Sequence, residues 1–270
     1  MKKLSITATA VVVVMASGSA FAADLGRPIV KAPVVAPAPI TAWTGCYLGV
    51  HGGGGWGNKR VNDDGTGFVS GVAGARLFDF DTSGWLAGGQ VGCDFQTGAF
   101  VFGIEGSASG AGIDGSGDNL AVVGGFPAGV FRARANADFI GTLTGRIGMA
   151  WGQSLLYVKG GAAWVHDDYR VDTGPFLVPI FPLGTRFLTG DQTHFGWTVG
   201  AGWEYLFAPS WSFKIEYNFI DVSRENVDFR FTPAFGGGAC CSLPVEQQIH
   251  VVKAGINWRF NWGGPVMASY

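Results

Sequence analysis

The residues able to ligate a metal, activate a nucleophile or cradle a phosphate are few and poorly spaced for it. The four histidines, His51, His166, His194 and His250, stand far apart, with no pair at the i, i+4 spacing of a helical metal site. An up-and-down topology gathers all four in one half of the molecule, so haem or metal at an outer rim is an open reading, without an assigned ligand set. No His-x-Ser occurs on a strand. Ser107, Ser109, Ser154 and Ser212 have no histidine near in sequence to activate a hydroxyl. Asp114-Gly115-Ser116-Gly117-Asp118 alternates oxygen donors like part of a calcium loop, but lacks the following turn glycine and the distal bidentate glutamate. Gly52 to Gly55 invites a phosphate-loop reading, yet no Gly-Lys-Ser/Thr follows and no helix begins there. The sequence therefore assigns no catalytic residue, no metal and no cofactor.

What remains is charge set into apolar surroundings at alternating positions. Asp94, Glu105, Glu204 and Glu216 balance Arg146, Lys159, Lys214 and Lys253, four acids against four bases, all on strand-like segments. Unpaired charges in a low-dielectric interior each cost several kcal/mol, at about that order. The expectation is a mutually neutralising network. Cys46 and Cys93 are the other reactive pair: they share one face of adjacent segments at similar depth, and a disulfide between them suits an oxidising compartment. A long intervening loop leaves their register open. Both also suit the role of small apolar residues facing lipid. Cys240 and Cys241 are adjacent, and bonding them to each other needs a strained ring.

The elements that hold these residues follow from periodicity. Gly supplies 45 of the 270 residues and Phe and Trp another 21 and 10, against 18 basic and 20 acidic side chains. Spans of about 20 apolar residues, the mark of helical membrane proteins, are interrupted everywhere past the first two dozen positions. Disorder is excluded by the aromatic content. Period-two alternation runs through eight segments, 43–57, 85–96, 99–109, 137–151, 155–167, 193–208, 212–223 and 247–260, and every proline falls outside them. Their connections alternate in length. Thr97-Gly98, Gln153-Ser154 and Pro209-Ser210-Trp211 are tight turns, whereas 58–84, 110–136, 168–192 and 224–246 read as long polar loops. The tight turns predict Phe95 opposite Phe100 and Trp151 opposite Leu156.

The fold class that results is all-β, an eight-stranded antiparallel up-and-down transmembrane barrel over 43–260. One face is bulky and aromatic (Val50, Phe102, Leu143, Val158) and the other small, polar and charged, which packs best with the apolar face outward and the lumen narrow. The tryptophans fall into two belts. Trp43, Trp151, Trp211 and Trp258, with Trp262, lie on the short-turn side; Trp56, Trp85, Trp164 and Trp197 lie on the long-loop side.

Ahead of the barrel, Met1 to Ala22 has the basic start, apolar run and Ala20-Phe21-Ala22 cleavage site of a secretory signal. Residues 23–42 form a Pro/Ala-rich periplasmic arm. Cleavage removes Lys2 and Lys3, so acids outnumber bases further, and without a basic patch nucleic acid is not a partner.

The order of motifs carries a resemblance. Trp43-Thr44-Gly45-Cys46-Tyr47-Leu48-Gly49-Val50, Gly88-Gly89-Gln90-Val91-Gly92, Phe102-Gly103-Ile104-Glu105-Gly106, Gly196-Trp197-Thr198-Val199-Gly200-Ala201-Gly202 and Val251 to Phe260 resemble the outer-membrane immunogenic proteins of alphaproteobacteria, an OmpA-like small barrel family often labelled porin. The resemblance implies export through the periplasm to the outer membrane, assembly by the barrel-assembly machinery and surroundings of lipid and lipopolysaccharide. It also implies periplasmic short turns and surface-exposed, antigenic loops. Some relatives are described as haemin binders. Two features depart from the pattern: Cys46 and Cys93 stand where aromatics are expected, and the tail 261–270 runs past Phe260. The expected function is non-catalytic, a structural and surface role with a side-chain-filled lumen. Haem or host-ligand binding through the loops, or a narrow channel, are the alternatives, and the oligomeric state is not readable.

Overall fold

The computed structural model describes residues 43–63, 65, 74–119, 130–174, 182 and 184–260. The signal at 1–22, the arm at 23–42, Trp262 and the tail at 261–270 lie outside them. Eight strands follow one another: β1 Gly45–Asn62, β2 Arg76–Thr97, β3 Phe100–Asp118, β4 Phe131–Trp151, β5 Ser154–Thr173, β6 Arg186–Ala208, β7 Trp211–Phe231 and β8 Ala239–Phe260. Each pairs antiparallel with its neighbour, and β1 pairs with β8 to close the ring. Closure leaves no free sheet edge, the requirement for strands in lipid, and the longest break in the ladder, between Thr189 and Gly196 on the β6/β7 side, lies in the upper part of the wall.

Two of the tight turns place glycine in the left-handed region, Gly98 at φ 61° and Gly152 at φ 56°, where a side chain is disfavoured. Their register differs from the sequence expectation by two residues: Thr97 faces Phe100 and Phe95 faces Phe102, while Trp151 faces Ser154 and Met149 faces Leu156. The turn residues are Gly98-Ala99 and Gly152-Gln153. A shift of two keeps parity, so no side chain changes face.

The larger correction concerns strand length. The segments read as long loops are largely strand, leaving connections of 63–75, 119–130, 174–185 and 232–238, the last with a single 3-10 turn at Pro233–Phe235. Alternation continues past the outer tryptophans but changes sense. On β5, Val158 and Trp164 point outward, whereas higher up Tyr169 and Val171 are buried and Arg170 is exposed. On β7, Ile215 and Tyr217 face out below, and Val227 and Phe229 face in above. The lower storey is lipid-facing with a polar interior; the upper storey projects into water with an apolar one. Among the described prolines, Pro244 stands within a strand. It lies within β8 opposite Asn226, just past the slip in the β7/β8 register between Val222 and Glu225.

The interior is layered accordingly. Trp43, Val101, Leu155, Tyr157 and Leu206 close the short-turn end. Charged side chains come next. An apolar tier containing Leu86, Ile113, Ile140, Val165, Ile220 and Ile249 follows. The upper storey is filled by a second apolar cluster around Phe78, Phe80, Phe131 and Phe229.

Candidate functional site

In the lower storey the polar face converges on two stacked rings of charge. Four strands alternate in the first: Asp94 of β2, Arg146 of β4, Glu204 of β6 and Arg259 of β8. Arg146 donates to Asp94 through Nε at 2.8 Å and to Glu204 at 3.1 Å. Arg259 donates to the same two carboxylates, at 2.5 Å and 3.0 Å. Inward residues of alternate strands share a level because a closed barrel is sheared, which is how residues so distant in sequence meet. The second ring joins Glu105 of β3 to Lys159 of β5 at 2.8 Å, Lys159 to Glu216 of β7 at 2.9 Å, and Lys214 to Glu216 at 3.3 Å and Glu105 at 2.7 Å. Lys253 reaches Glu216 at 3.3 Å.

All eight charged residues named from the sequence meet here. Reasoning from sequence missed Arg259, although it shares the parity of Lys253 and Asn257, and with it the bases exceed the acids by one. It also missed Tyr47 and Tyr157. Their hydroxyls donate to Glu105 at 2.7 Å and Glu216 at 2.8 Å, and the Arg146 guanidinium lies over both rings, at 4.7 Å and 4.9 Å from their centroids. Gly92 and Gly202 give these rings room; a Cβ at either would run into the tyrosine. Ser212 and Asn257 complete Glu204 at 2.5 Å and 2.9 Å.

Trp43 is not part of the short-turn belt. It is fully buried, with its carbonyl accepting from Arg259 at 2.8 Å and its ring under the same guanidinium. It precedes β1, so strand parity does not direct it outward, and a cation at the mouth of the lumen draws the indole in. The other seven belt tryptophans among the described residues are on the outer surface. Trp211 and Trp258 are directly opposed below, and Trp164 meets Phe195 edge-on above.

The histidines do not converge. His166 is on the outer face with Thr193 at 2.9 Å, while His194 is 1% exposed inside. No joint haem or metal site forms from the two, because they stand in opposite parity on paired strands. His51 does meet a serine, Ser109 Oγ at 2.7 Å from its Nε2, with Gln90 on Nδ1. No sequence proximity reveals this pair, since β2 lies between their strands. Both are buried in a hydrogen-bonded line that continues through Gln90 to Asn257 at 2.7 Å and on to Glu204. Above the apolar tier, Lys59 donates to Asp167 at 2.6 Å, and Tyr169 lies 3.1 Å from His194 Nε2. Burial pushes Lys59 below the usual lysine range, opposed by the Asp167 carboxylate.

Cys46 and Cys93 are direct cross-strand partners, Cα 3.9 Å apart and joined by a disulfide. Cys240 and Cys241 keep their thiols. Denatured protein without reductant should therefore titrate two thiols, and four after reduction. Four before reduction would contradict the bridge. A loop of this length predicts that Cys46→Ser lowers stability by about 2–4 kcal/mol.

Comparison with known proteins places this geometry. Residues 8–260 match the outer membrane protein beta-barrel domain family. The 31 kDa outer-membrane immunogenic protein of Brucella melitensis is 27% identical over 91% of this chain and 95% of that protein. The 25 kDa outer-membrane immunogenic protein of Brucella canis is 28% identical over 80% and 83%, and the 22 kDa outer membrane protein of Rhizobium leguminosarum bv. viciae is 27% identical over 73% and 72%. The crystal structure of OprG from Pseudomonas aeruginosa superposes with a TM-score of 0.45 at 12% identity, covering 81% of this chain and 97% of that one. The chain belongs to the outer membrane protein beta-barrel domain family, is similar to the immunogenic outer-membrane proteins of alphaproteobacteria, and resides in the Gram-negative outer membrane.

Proposed function

We propose that this protein is a non-catalytic structural element of the outer membrane, with a lumen closed to ions and an outer storey that presents a surface to the exterior. The observation that carries the reading is the first charge ring. Each of two carboxylates, Asp94 and Glu204, is shared by two guanidiniums, so the ring ties β2, β4, β6 and β8 across the lumen. Eight strands leave an interior wide enough for side chains alone. The apolar tiers above and below the rings add a barrier to hydrated ions. Charges satisfied by one another, and a Ser109–His51 pair held in a structural line, are poor starting points for catalysis, which needs groups aimed at a substrate.

The experiment is deletion of the gene with complementation. Cells lacking the protein are expected to become more permeable to bile salts and to antibiotics too large for the outer membrane, and a wild-type copy restores the barrier. An intact barrier combined with lost growth on haem as iron source would replace this reading with ligand capture by the outer connections.

A further inference from the structure

The outer wall of the upper storey carries a row of side chains that folding does not explain. In strand register, Ser116 of β3 faces Arg134 of β4, Arg134 faces Arg170 of β5, Arg170 faces Thr189 of β6, and Thr189 faces Arg230 of β7. All five point away from the lumen, and the three arginines are exposed. Arg134 and Arg170 are directly opposed, an arrangement that destabilises a sheet. Arg134 has Asp172 at 3.3 Å, but Arg170 and Arg230 have no ion-pair partner among the described residues. The neighbouring rows differ. Away from the membrane, Arg132 is paired with Asp118 at 2.8 Å and Arg186 faces Asp172. Toward it, Asp114, Asp168 and Asp191 form an acidic row.

We propose that this arginine row binds the phosphate and carboxylate groups on the inner-core sugars of outer-leaflet lipopolysaccharide. Guanidinium forks match both anions bidentately. Height and direction select the occupant. From Trp164 to Arg170 along β5, at about 3.3 Å per residue and a tilt near 40°, the row begins about 15 Å above the outer tryptophans. That is the level of the core sugars, above the headgroup phosphates of the leaflet. The row lies on the side wall, where leaflet molecules pack, and not on the open rim. The acidic row beneath repels anions at the lower level, which turns a general attraction into a preference for the core. A groove of about 460 Å³ runs between the two rows, lined by Arg134 and Arg170 on one side and by Asp114 and Asp168 on the other, so an anionic group seats at its arginine edge. The assignment rests on the outer-membrane placement and is independent of the closed lumen, so it and the structural reading fail separately.

The test uses the mature chain in phosphatidylcholine nanodiscs, titrated with core-bearing lipopolysaccharide and with lipid A lacking the core. Wild type is expected to bind the core-bearing form at least tenfold more tightly. Arg134→Ser with Arg170→Ser should abolish the difference while the barrel keeps its heat-modifiable migration, and Arg230→Ser, on another strand, should reduce it about threefold. Equal binding of both lipids by wild type, or an unchanged preference in both variants, overturns the proposal. So does loss of the preference in millimolar inorganic phosphate, which would make the row a site for the free anion.

Discussion

Arg146→Met is expected to lower the stability of the refolded barrel by about 3–5 kcal/mol while leaving its fold intact. Arg146 is the corner at which the two rings touch: it donates to Asp94 and Glu204 and lies 3.9 Å from Glu105. Its removal leaves Asp94 and Glu204 sharing Arg259 alone, and takes the cation from between Tyr47 and Tyr157. Breaking one partner of a buried ion pair is far more costly than the pair is stabilising, because the remaining charge has no water to return to. Methionine fills much of the volume, so the loss reports electrostatics and not a cavity. Arg146→Lys should fall between, since one ammonium does not span both carboxylates with the same forked geometry. Urea unfolding in detergent gives the measurement. An unchanged midpoint and slope for Arg146→Met would show that the rings are not a tight network.

The second large effect is expected in the upper storey. Asp167→Asn leaves the fully buried Lys59 ammonium facing an amide, with the Tyr169 ring 4.9 Å from its nitrogen as its other support among the described residues. The cost is about 3–5 kcal/mol near neutral pH. Its pH dependence has a definite sign. Burial already lowers the Lys59 pKa, and loss of the Asp167 charge lowers it further. The folded state then releases its proton at a lower pH than the unfolded chain, whose lysine titrates at about 10.4. Stability therefore rises with pH across that window, and the deficit relative to wild type shrinks between pH 7 and 10. Comparing variant and wild type at each pH cancels groups common to both. A deficit that stays constant across this range would contradict a charged, desolvated lysine as its cause.

Much of this architecture is legible in the sequence because the lipid-facing storey has one strong rule, alternation with apolar side chains outward. That rule places Val50, Phe102, Leu143 and Val158 outside and the eight charges legible in the sequence inside, where Arg259 joins them. It fails where the solvent changes. Beyond Trp164 the same β5 strand reads Asp168, Arg170 outward and Tyr169, Val171 inward, and a pattern that reverses sense resembles an irregular polar loop. Register is the second blind spot. Parity puts Cys46 and Cys93 on one face, but only the closed ladder makes them partners. The same ladder brings His51 to Ser109 across β2, a meeting that no local spacing encodes. Trp43 fails for a third reason: it stands outside a strand, where the cation below it, and not alternation, decides its direction.

Single-channel recording of the mature protein in planar bilayers tests the closed lumen most directly. Wild-type protein is expected to insert without resolvable conductance steps, because Asp94, Arg146, Glu204 and Arg259 bridge the lumen at one level. The Arg146→Met variant, with that ring opened, should add brief, irregular openings at most. Regular, long-lived steps from wild-type protein, reproducible across insertions and scaling with salt concentration, would contradict the account and make the barrel a channel.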